Sequence, residues 1–203
     1  LVKTIDIHCG GQDLIFPHHE NEIAQSECCN GVKFANYWIH NGYININSQK
    51  MSKSLGNFFT VREIAEKYGY EPIRYLMISS HYRNPINFSE DIIIQCKSAL
   101  ERLYTFRKNL KNALKDCGDK EHKSEKYSVN FEFYRKKFRD SMDDDLNTAE
   151  ALGVIFEMIK EVNTKVLSNG DCDEDAISEA LKFLDETTEV LGIMYENKAK
   201  NVE

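Results

Sequence analysis

The chain has 203 residues, enough for one sizeable core or two small ones. Hydrophobic residues make up 41% and charged residues 29%, as in an ordinary globular protein, and no apolar run among these residues approaches the length of a membrane span. A formal net charge of −7 argues against a protein that coats nucleic acid without regard to sequence, although a local basic stripe still acts inside an acidic whole.

The opening LVKTIDIHCGG has no basic stretch followed by an apolar one, so it does not read as a signal peptide. It starts as a strand starts in the middle of a domain, a first hint of a fragment. Residues 4–8 alternate and are β-branched, which predicts a strand broken by Gly10 and Gly11. Pro17 suits the first position of a helix running through residues 18–29 to a stop at Asn30-Gly31. A helical stretch is expected over residues 34–40, a second strand over 43–47 and a polar loop over SQKMSKSLGN. Thr60 and Glu63 form a capping box for a helix that stops at Gly69, and Glu71-Pro72 starts another that ends near Tyr82.

Everything beyond residue 59 reads as helical. Ser89 caps a long helix whose Ile93, Cys96, Leu100, Leu103, Phe106 and Leu110 recur at three- and four-residue steps, giving one buried stripe. After a charged linker, a helix carries Phe131, Tyr134 and Phe138. Asn147 and Glu150 open the next helix, which Asn169-Gly170 ends. The last runs over about 173–191, with Gly192 closing it. The expected organisation is α/β plus all-α: residues 1–59 belong to an α/β sheet, 60–88 form a connecting helical region, and 89–203 fold as an antiparallel helical bundle. Six cysteines are scattered without a C-x-x-C pair, and free thiols in a reducing compartment are expected.

The most informative segment is Lys50-Met51-Ser52-Lys53-Ser54, followed by Leu55-Gly56-Asn57. A loop with two lysines and two hydroxyls after a strand can close over a polyphosphate. A cation placed where charge develops on departing pyrophosphate stabilises the transition state more than the ground state. The other reading is a solvated lysine-bearing loop. Upstream, Gly10 and Gly11 after a strand let a nucleotide approach the backbone, and Asp13 can accept hydrogen bonds from a ribose. His18 and Glu22 stand one helical turn apart, a spacing that presents two ligands to one zinc ion or makes an ordinary surface pair. His19 is an equally fair ligand by position. Trp38 is read as a pocket wall or as core, and His8 as pocket-lining or structural. The stripe Arg107, Lys108, Lys111 and Lys115 is read as a phosphate contact or as a solvated helix face.

KMSKS resembles the signature loop of class I aminoacyl-tRNA synthetases, and DIHCGGQDLIFPHHENE resembles a motif of the cysteinyl-tRNA synthetases among them. Tyr37 to Gly42, residues 69–75, 81–83 and 87–89, and DDDLNTAEAL at 143–152 continue the likeness, which covers about residues 4–193. The resemblance implies the second half of a Rossmann-like catalytic domain followed by a helical bundle. It implies ATP-dependent activation of cysteine, with Mg2+, and transfer of the cysteinyl group to tRNA(Cys). Lys53 would contact the phosphates, with Lys50, Met51, Ser52 and Ser54 supporting the closed loop. Gly10, Gly11, Asp13, Trp38 and His40 would line the ATP site. The family's zinc is held by two cysteines, one histidine and one glutamate. The resemblance points to His18 and Glu22 as the latter two, and places the two cysteines before residue 1. Cys9 stands where the family commonly has glycine and is not counted as a ligand. The companion HIGH signature is absent. A fragment inactive alone, from a cytoplasmic and monomeric enzyme, is therefore expected. The alternatives are the related cysteine ligase of mycothiol synthesis and a non-catalytic helical module that binds RNA or protein.

Overall fold

In a computed structural model, the structure describes residues 3–46, 49–50, 59–118, 129–168 and 173–195, with only the backbone at 49, 50 and 118. The chain divides into two compact units. The first comprises residues 1–58 and 82–89, and the second 59–81 and 90–203.

In the first unit, strand β1 (Ile5–Gly11) lies parallel to β2 (Ala35–Asn41), with Ile7 opposite Tyr37, His8 opposite Trp38 and Gly10 opposite His40. Helix α1 (Glu20–Asn30) makes the crossover, as parallel pairing requires. It ends at Gly31, whose φ of +69° is the left-handed conformation that glycine adopts without a steric cost. The expected helix over 34–40 is thus a strand. Tyr37, Trp38 and Ile39 are aromatic or β-branched, and pairing with β1 satisfies their backbone groups. Helix α1 also begins later than Pro17 suggests. Phe16 is extended (φ −129°, ψ 131°), as a residue before proline tends to be, and residues 15–19 form an irregular turn before the helix proper.

A second small sheet combines β3 (Ile44–Ile46), antiparallel to β4 (Gln49–Lys50) and parallel to β5 (Ile86–Phe88). Strand β5 falls in a region expected to be helical. Three residues pair there because the Ile86 amide donates to the Tyr43 carbonyl at 2.9 Å, with β3 continuing the ladder. Gly42 passes against the backbone of Asn84 and Pro85. A Cβ there would fall 2.7 Å from the Pro85 nitrogen and closer still to Asn84.

In the second unit the caps predicted at Thr60, Asn147 and Gly192 are present. Thr60 and Glu63 close a reciprocal box at the start of α2 (Val61–Tyr68). Helix α3 (Tyr70–Ile78) ends at Ser79, short of Tyr82. Helix α4 (Glu90–Gly118) buries all six stripe residues, from Ile93 to Leu110. Asn130 caps α5 (Phe131–Asp143), Asn147 caps α6 (Thr148–Val162), and Asp173 caps α7 (Glu174–Leu191), which Gly192 closes in the left-handed conformation. The turn between α5 and α6 passes through Asp145 and Leu146, both with positive φ. Helix α7 packs against α4, α5 and α6, and Phe183 and Leu184 on it are fully buried.

Two side chains of α3 hold the far end of α7. Arg74 donates from Nε and Nη2 to the Leu191 carbonyl at 3.0 and 2.9 Å. Glu71, which is buried, accepts from the Tyr104 hydroxyl and the Met194 amide. Arg107 is mostly buried and pairs with Asp185 at 3.0 Å, so it does not join Lys108, Lys111 and Lys115, which are exposed. Cys9, Cys28, Cys29 and Cys96 are free thiols, and burial pushes the Cys96 thiol up to about 11, which keeps it protonated and unreactive. The expectation of free thiols fails at Cys117, which is disulfide-bonded. Disulfide partners meet through tertiary approach, and spacing along the chain carries no signal of it. Among the described residues no helix is long and apolar enough to cross a membrane.

Phe183→Ala removes a side chain with no exposed surface and is expected to cost about 3–5 kcal/mol of stability in urea denaturation. Phe133→Ala, at a position 56% exposed, is expected to cost less than about 0.5 kcal/mol.

Candidate active site

Strand alternation decides what gathers at the carboxyl end of β1 and β2. His8 and Gly10 share one face of β1, and the register sets Trp38 and His40 of β2 beside them. Open α/β sheets bind their ligands beyond the carboxyl ends of parallel strands, and this is such an end.

His19, from the turn before α1, closes over that face. Its ring lies over Gly10, where a Cβ would fall 2.6 Å from Cε1 and 2.7 Å from Nε2. Only a residue with no side chain lets the imidazole sit there. His19 is buried, at 5% exposure, and its Nδ1 pairs with His40 Nε2 at 2.9 Å. The rings form a continuous group: His8 and His19 are 5.1 Å apart between centroids, His8 and Trp38 4.7 Å, and His19 and Trp38 5.3 Å. Trp38 and His40 stack at 12° and 5.7 Å, and Phe34 packs against His8 and Trp38. Each aromatic pairing of this kind contributes about 0.5–1.5 kcal/mol beyond simple burial.

Glu22, one turn into α1, reaches back to β1, with Oε2 2.7 Å from His8 Nε2. The ligating atoms of His8, His19 and Glu22 lie within 4.8 Å of one another. Of the pair expected to hold zinc, the fold brings in Glu22 and leaves His18 exposed, outside this group. His19, the neighbour of equal standing by spacing, is the histidine of α1's approach that lies in this group. Both histidines belong to the irregular turn at 15–19 that leads into α1. Asp13 is exposed and folds beside Gly11, where an added Cβ would strike its carboxylate. Gln12 donates to the Arg83 carbonyl at 2.8 Å, which ties residues 82–89 to this end of β1.

The His40 imidazole is held below its ordinary range, first by burial and then by the positive charges of His19, His8 and Arg83. Lys50 forms the end of β4. Met51, Ser52, Lys53 and Ser54 lie outside the described residues.

Residues 1–98 match the family described as tRNA synthetases class I (C) catalytic domain, and residues 137–196 match the DALR domain. The chain carries a class I tRNA synthetase catalytic segment and a DALR segment. It is 52% identical over 200 residues to the cysteine–tRNA ligase of Caldicellulosiruptor saccharolyticus, covering 98% of this chain and 42% of that protein. With the cysteine–tRNA ligase of Clostridioides difficile it shares 50% identity over 196 residues, covering 96% of this chain and 41% of that one. The chain thus spans about two fifths of the length of these curated relatives. Among solved structures, the fold is similar to the LeuRS–tRNA–LeuAMS ternary complex from Agrobacterium radiobacter K84. The TM-score is 0.71 at 16% identity, over 90% of this chain and 25% of that one. Mycobacterium tuberculosis methionyl-tRNA synthetase in complex with methionyl-adenylate gives a TM-score of 0.64 at 18% identity, over 96% and 43%.

A folded-state pKa below 6.5 means that neutral His40 favours the fold above that pH, and that this contribution is lost as pH falls through the lowered value. In a metal-free sample followed by imidazole NMR, His40 is expected to titrate below a free histidine.

Proposed function

We propose that this chain forms part of a cysteine–tRNA ligase, an enzyme that activates cysteine with ATP and transfers the cysteinyl group to tRNA(Cys). The observation that carries the reading is the carboxyl end of the parallel pair β1–β2. There Gly10 and Gly11 bare the backbone, His19, Trp38 and His40 build a wall, and the sequence then runs into Lys50-Met51-Ser52-Lys53-Ser54.

The cysteine carboxylate attacks the α-phosphate of ATP, and pyrophosphate leaves. The adenylate then passes its acyl group to the terminal ribose of the tRNA. In-line displacement needs mainly positioning and charge stabilisation. Gly10 and Gly11 permit close approach of the nucleotide, and Asp13, exposed beside Gly11, accepts from its ribose. Trp38 and His40 line the adenylate pocket. Lys53 places its charge on the β- and γ-phosphates as pyrophosphate departs, with Lys50, Met51, Ser52 and Ser54 shaping the loop and Mg2+ accompanying ATP. Imidazole and carboxylate donors suit zinc, and we take His18 and Glu22 as its protein ligands on this chain, with the His8 and His19 imidazoles close to Glu22. Bound zinc would favour a thiolate over a hydroxyl, giving selection of cysteine over serine. On this reading the enzyme is monomeric and cytoplasmic.

Because the 203 residues span about two fifths of their relatives, the test uses a full-length protein that carries them. Attachment of labelled cysteine to tRNA(Cys) is expected, with Lys53→Ala lowering kcat by about 10²-fold or more, the scale of losing one transition-state charge contact. Cysteine-dependent ATP–pyrophosphate exchange without tRNA charging would instead indicate the related ligase of mycothiol synthesis. The 203-residue chain alone is expected to give no exchange.

A further inference from the structure

We infer that Arg83 is a further substrate-contacting residue of this site, and that its guanidinium holds a phosphate oxygen of the bound nucleotide. The assignment rests on reading the carboxyl end of β1 and β2 as a nucleotide site. Residues 82 and 83 are pinned there by the residue that follows each strand. Gln12, next after β1, donates from Nε2 to the Arg83 carbonyl at 2.8 Å. Gly42, next after β2, donates its amide to the Tyr82 carbonyl, also at 2.8 Å. A Cβ on Gly42 would strike the Asn84 carbonyl, so this segment lies directly on that end of the sheet. Arg83 therefore stands where open α/β sheets take their ligands, although it is far from both strands in sequence.

The side chain is directed as well as placed. Its Nε donates to the Tyr82 hydroxyl at 3.1 Å, and the guanidinium carbon stands 5.5 Å from the centre of the Tyr82 ring. Its positive charge is among those that hold the His40 imidazole low. A guanidinium is a planar fork that matches two oxygens of a phosphate, and it stays charged at any ordinary pH. The neighbours decide which phosphate it meets. Gln12, which holds Arg83, stands between Gly11, where the nucleotide approaches the backbone, and Asp13, which takes the ribose in the synthetase reading. The α-phosphate is the group esterified to that ribose. A fork on its oxygens turns the phosphorus toward the incoming carboxylate, and in-line displacement depends on such positioning.

The test uses a full-length protein that carries these residues and reads equilibrium binding, apart from turnover. Mg2+–ATP is titrated by calorimetry, and adenosine, which has no phosphate, is measured by competition with it. Arg83→Gln is expected to weaken ATP binding by about tenfold or more, the scale of one charge-assisted contact, and to change adenosine binding by less than about twofold. Arg83→Lys keeps the charge without the fork, and its ATP affinity should fall between the two. Because Arg83 is exposed, the melting temperature followed by circular dichroism should not move; if Arg83→Gln melts early, Arg83→Lys decides. Equal ATP affinity with and without Arg83 overturns the inference. So does an equal loss for ATP and adenosine, or an intact protein that binds no ATP. ATP binding that depends on Arg83, without cysteine-dependent pyrophosphate exchange, supports the contact and counts only against the synthetase reading.

Discussion

The first unit depends on the contact between the His19 imidazole and the bare backbone of Gly10. With any side chain at residue 10 the ring is displaced from the strand. It then loses its packing on His8 and Trp38 and its hydrogen bond to His40. Because His19 sits immediately before α1, the same contact fixes where that helix begins and how Glu22 faces β1. One absent methyl group thereby organises a strand, a helix start and the wall of a pocket.

The second unit solves a different problem. The chain leaving α7 turns through two residues of positive φ, Gly192 and Met194, and frees backbone groups that the helix no longer satisfies. Arg74 meets the Leu191 carbonyl and Glu71 meets the Met194 amide, so one short helix supplies both a cation and an anion to that exit. A buried carboxylate is costly unless its oxygens are hydrogen-bonded, and the Tyr104 hydroxyl meets both of them. Such an arrangement ties α3 to residues 117 positions further along the chain. It also explains why α3 groups with the bundle helices although it follows the catalytic segment in sequence.

Most of the helical part was legible in the residues. The stripe of α4, the caps at Thr60 and Asn147, and the stop at Gly192 are local signals, and the structure uses each of them. What depended on distant partners was not legible. Residues 34–40 carry both helical and strand tendencies, and only pairing with β1 decides between them. The resemblance names Trp38 and His40 as candidates, but their standing on one face beside His8 and Gly10 follows only once their segment is extended. The glycines of the nucleotide motif could be picked out from sequence, and the particular ring covering Gly10 could not. His19 and His18 were equal by spacing, and an irregular turn, itself set by an extended residue before proline, separated them. The disulfide at Cys117 belongs to the same class of non-local feature.

Gly42 illustrates how such features constrain a chain as it changes. Backbone meets backbone there, with the Asn84–Pro85 peptide occupying the room of any side chain and the Gly42 amide donating to the Tyr82 carbonyl at 2.8 Å. A slip of β2 by one residue would carry Asn41 or Tyr43 into that gap, and neither fits. The register of one sheet is therefore proofread by a segment some forty residues later, whose own strand belongs to a different sheet. The two ends that meet must stay in step across all the chain that lies between them.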